Sequence, residues 1–386
     1  MIEMVNSHID SIWDLMQVSY GKRGVDIDIT KSDDPILSTT TGVYNAIYGP
    51  KVFMQIMLED KLTGLLPKTV YKQSGWRVIT AAPTASARVD ENGALPETDK
   101  FDYHELSVKP AHHVTFWEDS HIQELLARGD DDTIGAIADL QADYAMQHRD
   151  LMQQYLLADA NTVITTGLDS IDRIVNSLSE ELGCLDAGDA DIWGIDRSDA
   201  SYSWADAQID HNSGSDRNLT ITLIKKLIVS TIDAGANPEG QVWVTGNDTV
   251  NAIESLFQDQ QRYMGTANVT ATVNGITTKK GEEAGFTVST LFKRPLIGLK
   301  SNHVTDNGNS DSISKLYLLD ISDPKGSGMP RLSLDIAEPT QYFEAGMKNG
   351  TVIEIDKIAN QAALITSGQI RCRMIACQGK LRDLQF

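Results

Sequence analysis

The side chains that could do chemistry are few and poorly grouped. His112 and His113 are adjacent in a stretch of extended pattern, and His121 follows. Neighbours in a strand point to opposite faces, so these three make a poor metal triad. Asp189, Asp191 and Gly194 partly imitate a calcium loop, but its fifth position is Trp193 and its twelfth is Ala200, so the oxygen set fails. Asp130, Asp131 and Asp132 could hold a cation, yet capping of a helix N-terminus accounts for them more simply. Asp196 and Arg197 could act as a carboxylate–guanidinium pair. The reading preferred here is a structural salt bridge at a subunit or domain junction. Gly326-Ser327-Gly328 lacks the third glycine of a dinucleotide fingerprint and reads as a turn. There is no G-x-S-x-G elbow, H-E-x-x-H or P-loop either. The expectation is therefore no catalytic residue, no cofactor and no metal.

The elements around these residues are more distinctive. Ile134, Ile137, Leu140, Tyr144, His148, Leu151 and Tyr155 recur at steps of three or four, which predicts one helix over 130–160. Such a helix is about 40 Å long, a spine on which flatter pieces can be mounted. Just upstream, 69–117 reads as two extended arms around a polar tip holding Pro83, Asn92-Gly93 and Pro96. A two-stranded hairpin is marginal in water, so this one must lie on its own domain or on an adjacent subunit. At the N-terminus Ile2, Val5, Ile9, Ile12, Trp13 and Met16 form a helical stripe, followed by a polar strap to Gly42. Such an arm needs a neighbouring surface for its apolar face. Helices are predicted over 44–66 (broken at Gly49-Pro50), 171–182, 219–234 and 247–260. Gly235 is expected to close the third of these. Short strands are predicted at 241–245, 269–273, 285–288, 295–298, 316–319, 332–335, 341–343, 352–355 and 362–374. The fold class is α+β, in two or three structural units for 386 residues.

The formal charge is −21. A negative field disfavours tight duplex binding, which relies on clustered Lys and Arg. The adjacent basic pairs, Lys22-Arg23, Lys225-Lys226, Lys279-Lys280 and Lys293-Arg294, are isolated from one another in sequence. Three cysteines, Cys184, Cys372 and Cys377, are too few for a disulfide framework and are expected reduced, in a cytosol. No run of eighteen apolar residues occurs, so no membrane span is expected. Residues 1–20 lack the basic-then-apolar pattern of a secretion signal.

One segment carries a resemblance. Trp193-Gly194-Ile195-Asp196-Arg197, then Tyr202 and Trp204, a helix ending at Ala234-Gly235 and the strand 241–245 resemble the major capsid proteins of tailed viruses, which have the Hong Kong 97-like fold. The order of N-terminal arm, long hairpin, spine helix and terminal strands agrees over nearly the whole chain. The motif-level match is confined to 193–245.

The resemblance implies an N-terminal arm (1–42), an extended loop (69–117), a peripheral domain (43–68, 118–160 and 345–386) and an axial domain (161–344). The last residues are open to a return toward the axial part. It implies a virion structural protein: hexamers and pentamers that close an icosahedral head around double-stranded DNA, assembled in the host cytoplasm. A portal and decoration proteins are the implied partners. The stretch before Gly42 is short beside the cleaved scaffolding segment of many relatives, so a separate scaffolding protein is expected. Some relatives cross-link a loop lysine to an asparagine. Here Lys72, Lys100 and Lys109 lie in the loop, and Asn349 and Asn360 near the end, but no motif pairs them and no cross-link is expected. The interface anchors expected are Trp13, Trp76, Arg77 and Phe101, with Asp196 and Arg197 at a junction. Two other readings compete: an encapsulin-like nanocompartment shell, and a hydrolase built on exposed carboxylates such as Asp196.

Overall fold

The computed structural model describes residues 61–71, 75–83, 88–89, 91, 93, 97–120, 131–159, 167–184, 191–261, 268–273, 276–282, 290–306, 312–324, 326, 328–345 and 359–386. The expected N-terminal arm with Trp13, most of the 44–66 helix and the strands at 285–288 and 352–355 lie outside these residues. The chain divides into two compact units, one comprising Met1–Leu58, Val114–Asp150 and Thr340–Thr366, the other Glu59–His113, Leu151–Pro339 and Ser367–Phe386.

The second unit is built on a six-stranded sheet. Its strands are β5 (Gln208–Asp210), β7 (Gln241–Gly246), β10 (Thr290–Leu291), β11 (Arg294–Leu299), β12 (Leu316–Asp320) and β15 (Gly379–Leu381), in the order β10-β11-β7-β12-β15-β5. All six residues of β7 are buried, which explains why Gln-Val-Trp-Val-Thr-Gly reads as a run and not as an alternation. Its one polar amide, Gln241, is satisfied inside the core: Nε2 donates to Thr231 Oγ1 at 2.9 Å and Oε1 accepts from Arg294 Nε at 2.7 Å. Two helices flank β7 in sequence, α5 (Ile221–Asp233) and α6 (Asn247–Gln261), the second followed by the antiparallel pair β8 (Asn268–Val273) and β9 (Ile276–Glu282). Thr220 caps α5 by accepting from the Leu223 N–H, and Gly235 follows it at φ +96, a conformation that favours glycine.

The spine helix is α2 (Asp131–Leu156), after α1 (Leu62–Leu65). Along its C-terminal part the buried residues are His148, Asp150, Met152, Gln153 and Leu156, whereas Tyr155 is 44 % exposed. The face has rotated from the expected stripe because Gln153 turns inward, its Oε1 accepting the N–H groups of Lys61 and Leu62 at the start of α1. The single helix expected at 171–182 is two short ones, α3 (Ile171–Ile174) and α4 (Leu178–Gly183). Polar side chains interrupt it: Asn176 Oδ1 accepts from the Ser177 N–H, and Ser177 Oγ caps α4 through the Glu180 N–H.

The expected extended loop narrows. Strands β2 (Gly75–Ala81) and β3 (Asp102–Ser107) pair antiparallel, but β1 (Lys68–Val70) and β4 (Ala111–Ser120) are edges of a separate sheet of order β1-β13-β14-β4, with β13 (Leu332–Ala345) and β14 (Ala359–Cys372) between them. Within the first unit, Thr115 and Trp117 of β4 are buried, with Val114 and Phe116 exposed between them. Trp117 stacks on Tyr144 of α2 (4.6 Å, 11°), and His148 bridges Thr115 Oγ1 and Thr366 Oγ1 at 2.8 Å each. This alternation against a helix is why 111–117 belongs to a sheet and not to the arm. The expected peripheral stretch 345–386 is also too long. β15 pairs with β12 and β5, and β16 (Leu384–Gln385) pairs with β6 (Arg217–Asn218), so the C-terminal residues join the six-stranded sheet and a small pair beside it.

Candidate assembly surfaces

The hairpin β2–β3 is rooted in the second unit by alternate side chains. Trp76 lies opposite Leu106, and Val78 opposite His104. Leu106 is 2 % exposed, and Trp76 packs edge-on against Trp193 at 5.1 Å. The His104 ring sits 5.3 Å from Tyr202 and 5.5 Å from Trp204. The Trp193–Trp204 stretch singled out from the sequence is thus the seat of the hairpin.

That seat is held by a tight turn. Trp193 (φ 53) and Gly194 (φ 82) both adopt positive φ between the bridged residues Ile192 and Ile195. The Trp193 indole N–H donates to Asp169 Oδ2 at 2.8 Å. Burial nevertheless leaves the Asp169 carboxyl above its usual range, the bond from Trp193 and the Arg173 charge opposing it. Arg197 is 1 % exposed, and its guanidinium donates to the carbonyls of Ile174, Arg173 and Ala205. Burial draws it down to about 10, against the pull of Asp206 and Glu180. Asp196 faces away and accepts from the Ser198 N–H and hydroxyl. The expected Asp196–Arg197 salt bridge is therefore replaced by two separate local braces, and Arg197 is internal to its own chain.

The outer face of the hairpin is different. Ile79 and Tyr103 are directly paired across the strands and are 56 % and 62 % exposed; Phe101 is 48 % exposed. Beside them Arg77 Nη2 meets Glu105 Oε1 at 2.7 Å in solvent. Of the six residues expected at interfaces, Phe101 and Arg77 lie on the exposed arm, Trp76 in the root, Asp196 and Arg197 in the seat, and Trp13 outside the described residues. At the root opens a cavity of about 1100 Å³, lined among others by Trp76, Glu105, Asp335, Arg371 and Arg373. Arg371 lies over the Tyr71 ring at 4.2 Å and is tied to Asp335 at 3.2 Å. The first unit carries its own exposed apolar residues: Val114 and Phe116 on β4, and Phe343 on β13.

Beneath the seat runs an ion network that sequence reading missed. Lys380 Nζ meets Asp172 Oδ1 at 2.9 Å and Glu180 Oε2 at 2.8 Å. Lys315 meets Asp172 at 3.2 Å and Asp159 at 3.1 Å. Arg382 reaches Glu180, Asp306 and Asp383 at 2.8, 3.4 and 3.1 Å. Tyr317 donates to Asp172 Oδ1 at 2.6 Å. Burial alone would lower Lys315, but Asp172 and Asp159 hold it well above its usual value, while burial and Asp172 together push Tyr317 far up. These residues come from five separate stretches of chain, and no local spacing signals them. Apart from Asp159, whose side chain is 20 % exposed, its members are buried, so the network braces the unit from within. Among the described residues, Cys184, His211 and Asp383 form a group that could hold a metal ion.

No protein-family profile matches the chain, and no curated protein matches it. Solved structures do. The chain is similar to a subunit of the cyanophage A-1(L) capsid asymmetric unit, at TM-score 0.63 and 13 % identity over 86 % of this chain and 95 % of that one. It is similar to the capsid protein of the native GTA particle, at TM-score 0.51 and 11 % identity over 86 % and 94 %. A chain of Gordonia phage Cozz matches at TM-score 0.51 and 12 % identity over 87 % and 90 %. At such identities the likeness is one of fold.

Proposed function

We infer that this chain, whose fold is the Hong Kong 97-like fold of viral shell subunits, is a major capsid protein that assembles into an icosahedral head around double-stranded DNA. The observation that carries the reading is the two-faced hairpin: an inner face fixed in its own unit by Leu106 and Trp76, and an outer face that presents Ile79 and Tyr103, with Phe101 beside them, to solvent. An arm of this kind gains its burial from another copy. Once one contact between copies forms, the next becomes intramolecular, so repeated weak contacts close a shell. Obligate interfaces commonly bury roughly 2,000–5,000 Å², which a lattice of arms and sheet faces can supply. Hexamers and pentamers of the chain, a separate scaffolding protein and a portal complete the proposed assembly, and the mature location is the virion. The chain's role in it is structural.

Electron microscopy of the expressed chain, with its scaffolding partner, tests this. Closed particles are expected. Removing residues 83–101 and joining the strands with a short turn leaves a folded monomer that forms no shells. A deletion variant that still closes shells overturns the role given to the hairpin. A full-length chain that stays monomeric with every partner present overturns the shell reading itself.

A further inference from the structure

We propose that Cys184, His211 and Asp383 form a zinc site. The three come from separate elements: Cys184 follows α4, His211 follows β5, and Asp383 lies between β15 and β16. One donor atom from each lies within 4.8 Å of the other two. Cys184 Sγ stands 3.8 Å from Asp383 Oδ2. Ligands on a tetrahedral zinc, with Zn–S about 2.3 Å and Zn–O about 2.0–2.2 Å, are separated by roughly 3.6 Å. Sulfur and oxygen therefore already stand close to one edge of the tetrahedron. Thiolate, imidazole and carboxylate are all zinc donors, and three protein ligands leave a fourth position for water. His211 is only partly buried, which provides a way in for the ion.

The surroundings supply the outer partners such a site needs. Asp383 Oδ2 accepts from the N–H groups of Asn212 at 2.7 Å and Gly214 at 3.0 Å, and Oδ1 accepts from Arg382 Nε at 3.1 Å. The Ser213 N–H donates to His211 Nδ1 at 3.2 Å, which puts the ring proton on Nε2, facing Ser179 Oγ at 2.9 Å. Coordination through Nδ1 displaces the Ser213 N–H and keeps Nε2–H on the serine. Gly183 allows the approach of the ring: a Cβ there would stand 2.6 Å from His211 Cε1.

Charge argues in the same direction. The ion network ending at Asp383 ties three cations, Lys315, Lys380 and Arg382, to five carboxylates, Asp159, Asp172, Glu180, Asp306 and Asp383. On binding, the Cys184 thiol passes its proton to solvent, so zinc and thiolate together add one positive charge beside the Asp383 carboxylate.

Purified full-length chain, stripped with EDTA, is titrated with zinc against a chromophoric chelator, and separately with cobalt. One zinc per chain and a thiolate-to-cobalt charge-transfer band are expected. Cys184→Ser abolishes the band and weakens zinc binding by about tenfold or more. Gly183→Ala keeps all three donor residues but pushes the His211 imidazole away, and is expected to weaken binding by a similar factor. Circular dichroism identifies any variant that has lost its fold. Zinc binding unchanged in both folded variants means an adventitious ion only and overturns the proposal, as does a cobalt complex without the band. The outcome is independent of shell assembly.

Discussion

A buried ion pair and an exposed one of equal length are different objects. Lys380 is fully buried between Asp172 and Glu180, whereas Arg77 and Glu105 meet at a similar distance with side chains 72 % and 71 % exposed. Removing one member of a buried pair strands its partners in low dielectric and costs about 3–5 kcal/mol. Lys380→Met is therefore expected to lower stability by that amount, while Arg77→Ala changes it by less than about 1 kcal/mol. Urea denaturation of the two variants measures the contrast, and equal midpoints would refute it. A pH effect belongs to Asp210. Burial raises its carboxyl, but Lys226 and Arg217 outweigh this and hold it below the ordinary carboxylate range. A depressed folded pKa means stability present above about 3.8 and lost as pH falls through the lower folded value. The deficit of Asp210→Asn relative to the parent should accordingly shrink as pH drops below about 4, seen in melting curves across pH. Little of this was legible beforehand. Asp172 and Lys380 look like ordinary surface residues in a line of sequence, because the partners that bury them are some two hundred positions away.

The hairpin shows how an element can be half anchored. Its period-2 pattern divides it by face: Leu106 and Trp76 turn inward, whereas Tyr103 and Ile79 lie on the opposite face and are exposed. Only the inner face has a seat, made by Trp193, Tyr202 and Trp204. Leu106→Ala removes a buried side chain and should cost about 2–5 kcal/mol. Limited proteolysis is the sharper readout: cleavage within 83–101 should accelerate in the variant, and an unchanged rate would mean that the arm is held elsewhere. Sequence pattern found the hairpin and the spine helix by their simple periods, and the strand 241–245 as a short apolar run between turn signals. It failed where polar side chains intervene, as at Asn176 and Ser177, which split one expected helix into two. It also overextended the arm to Trp117, since an extended stretch bonded to β14 reads the same as one bonded to a hairpin partner.

At the scale of the whole molecule, the charge of −21 bears on the proposed enclosure of DNA. A shell wall of this composition should hold DNA by enclosure and not by adhesion. Empty shells mixed with duplex DNA are expected to bind with a log–log salt slope no steeper than about −2, corresponding to roughly two phosphate contacts. A steep slope at physiological salt would show a basic inner surface and refute this. Composition and the order of elements were sufficient to determine an α+β chain with a hairpin and a long helix, because hydrophobic period and turn chemistry are local properties of a sequence. Tertiary structure alone decided which strand the C-terminus joins, where the arm begins, and that Cys184, His211 and Asp383 meet. Those outcomes depend on contacts between distant segments, and no spacing along the chain encodes which distant side chains will share one buried volume.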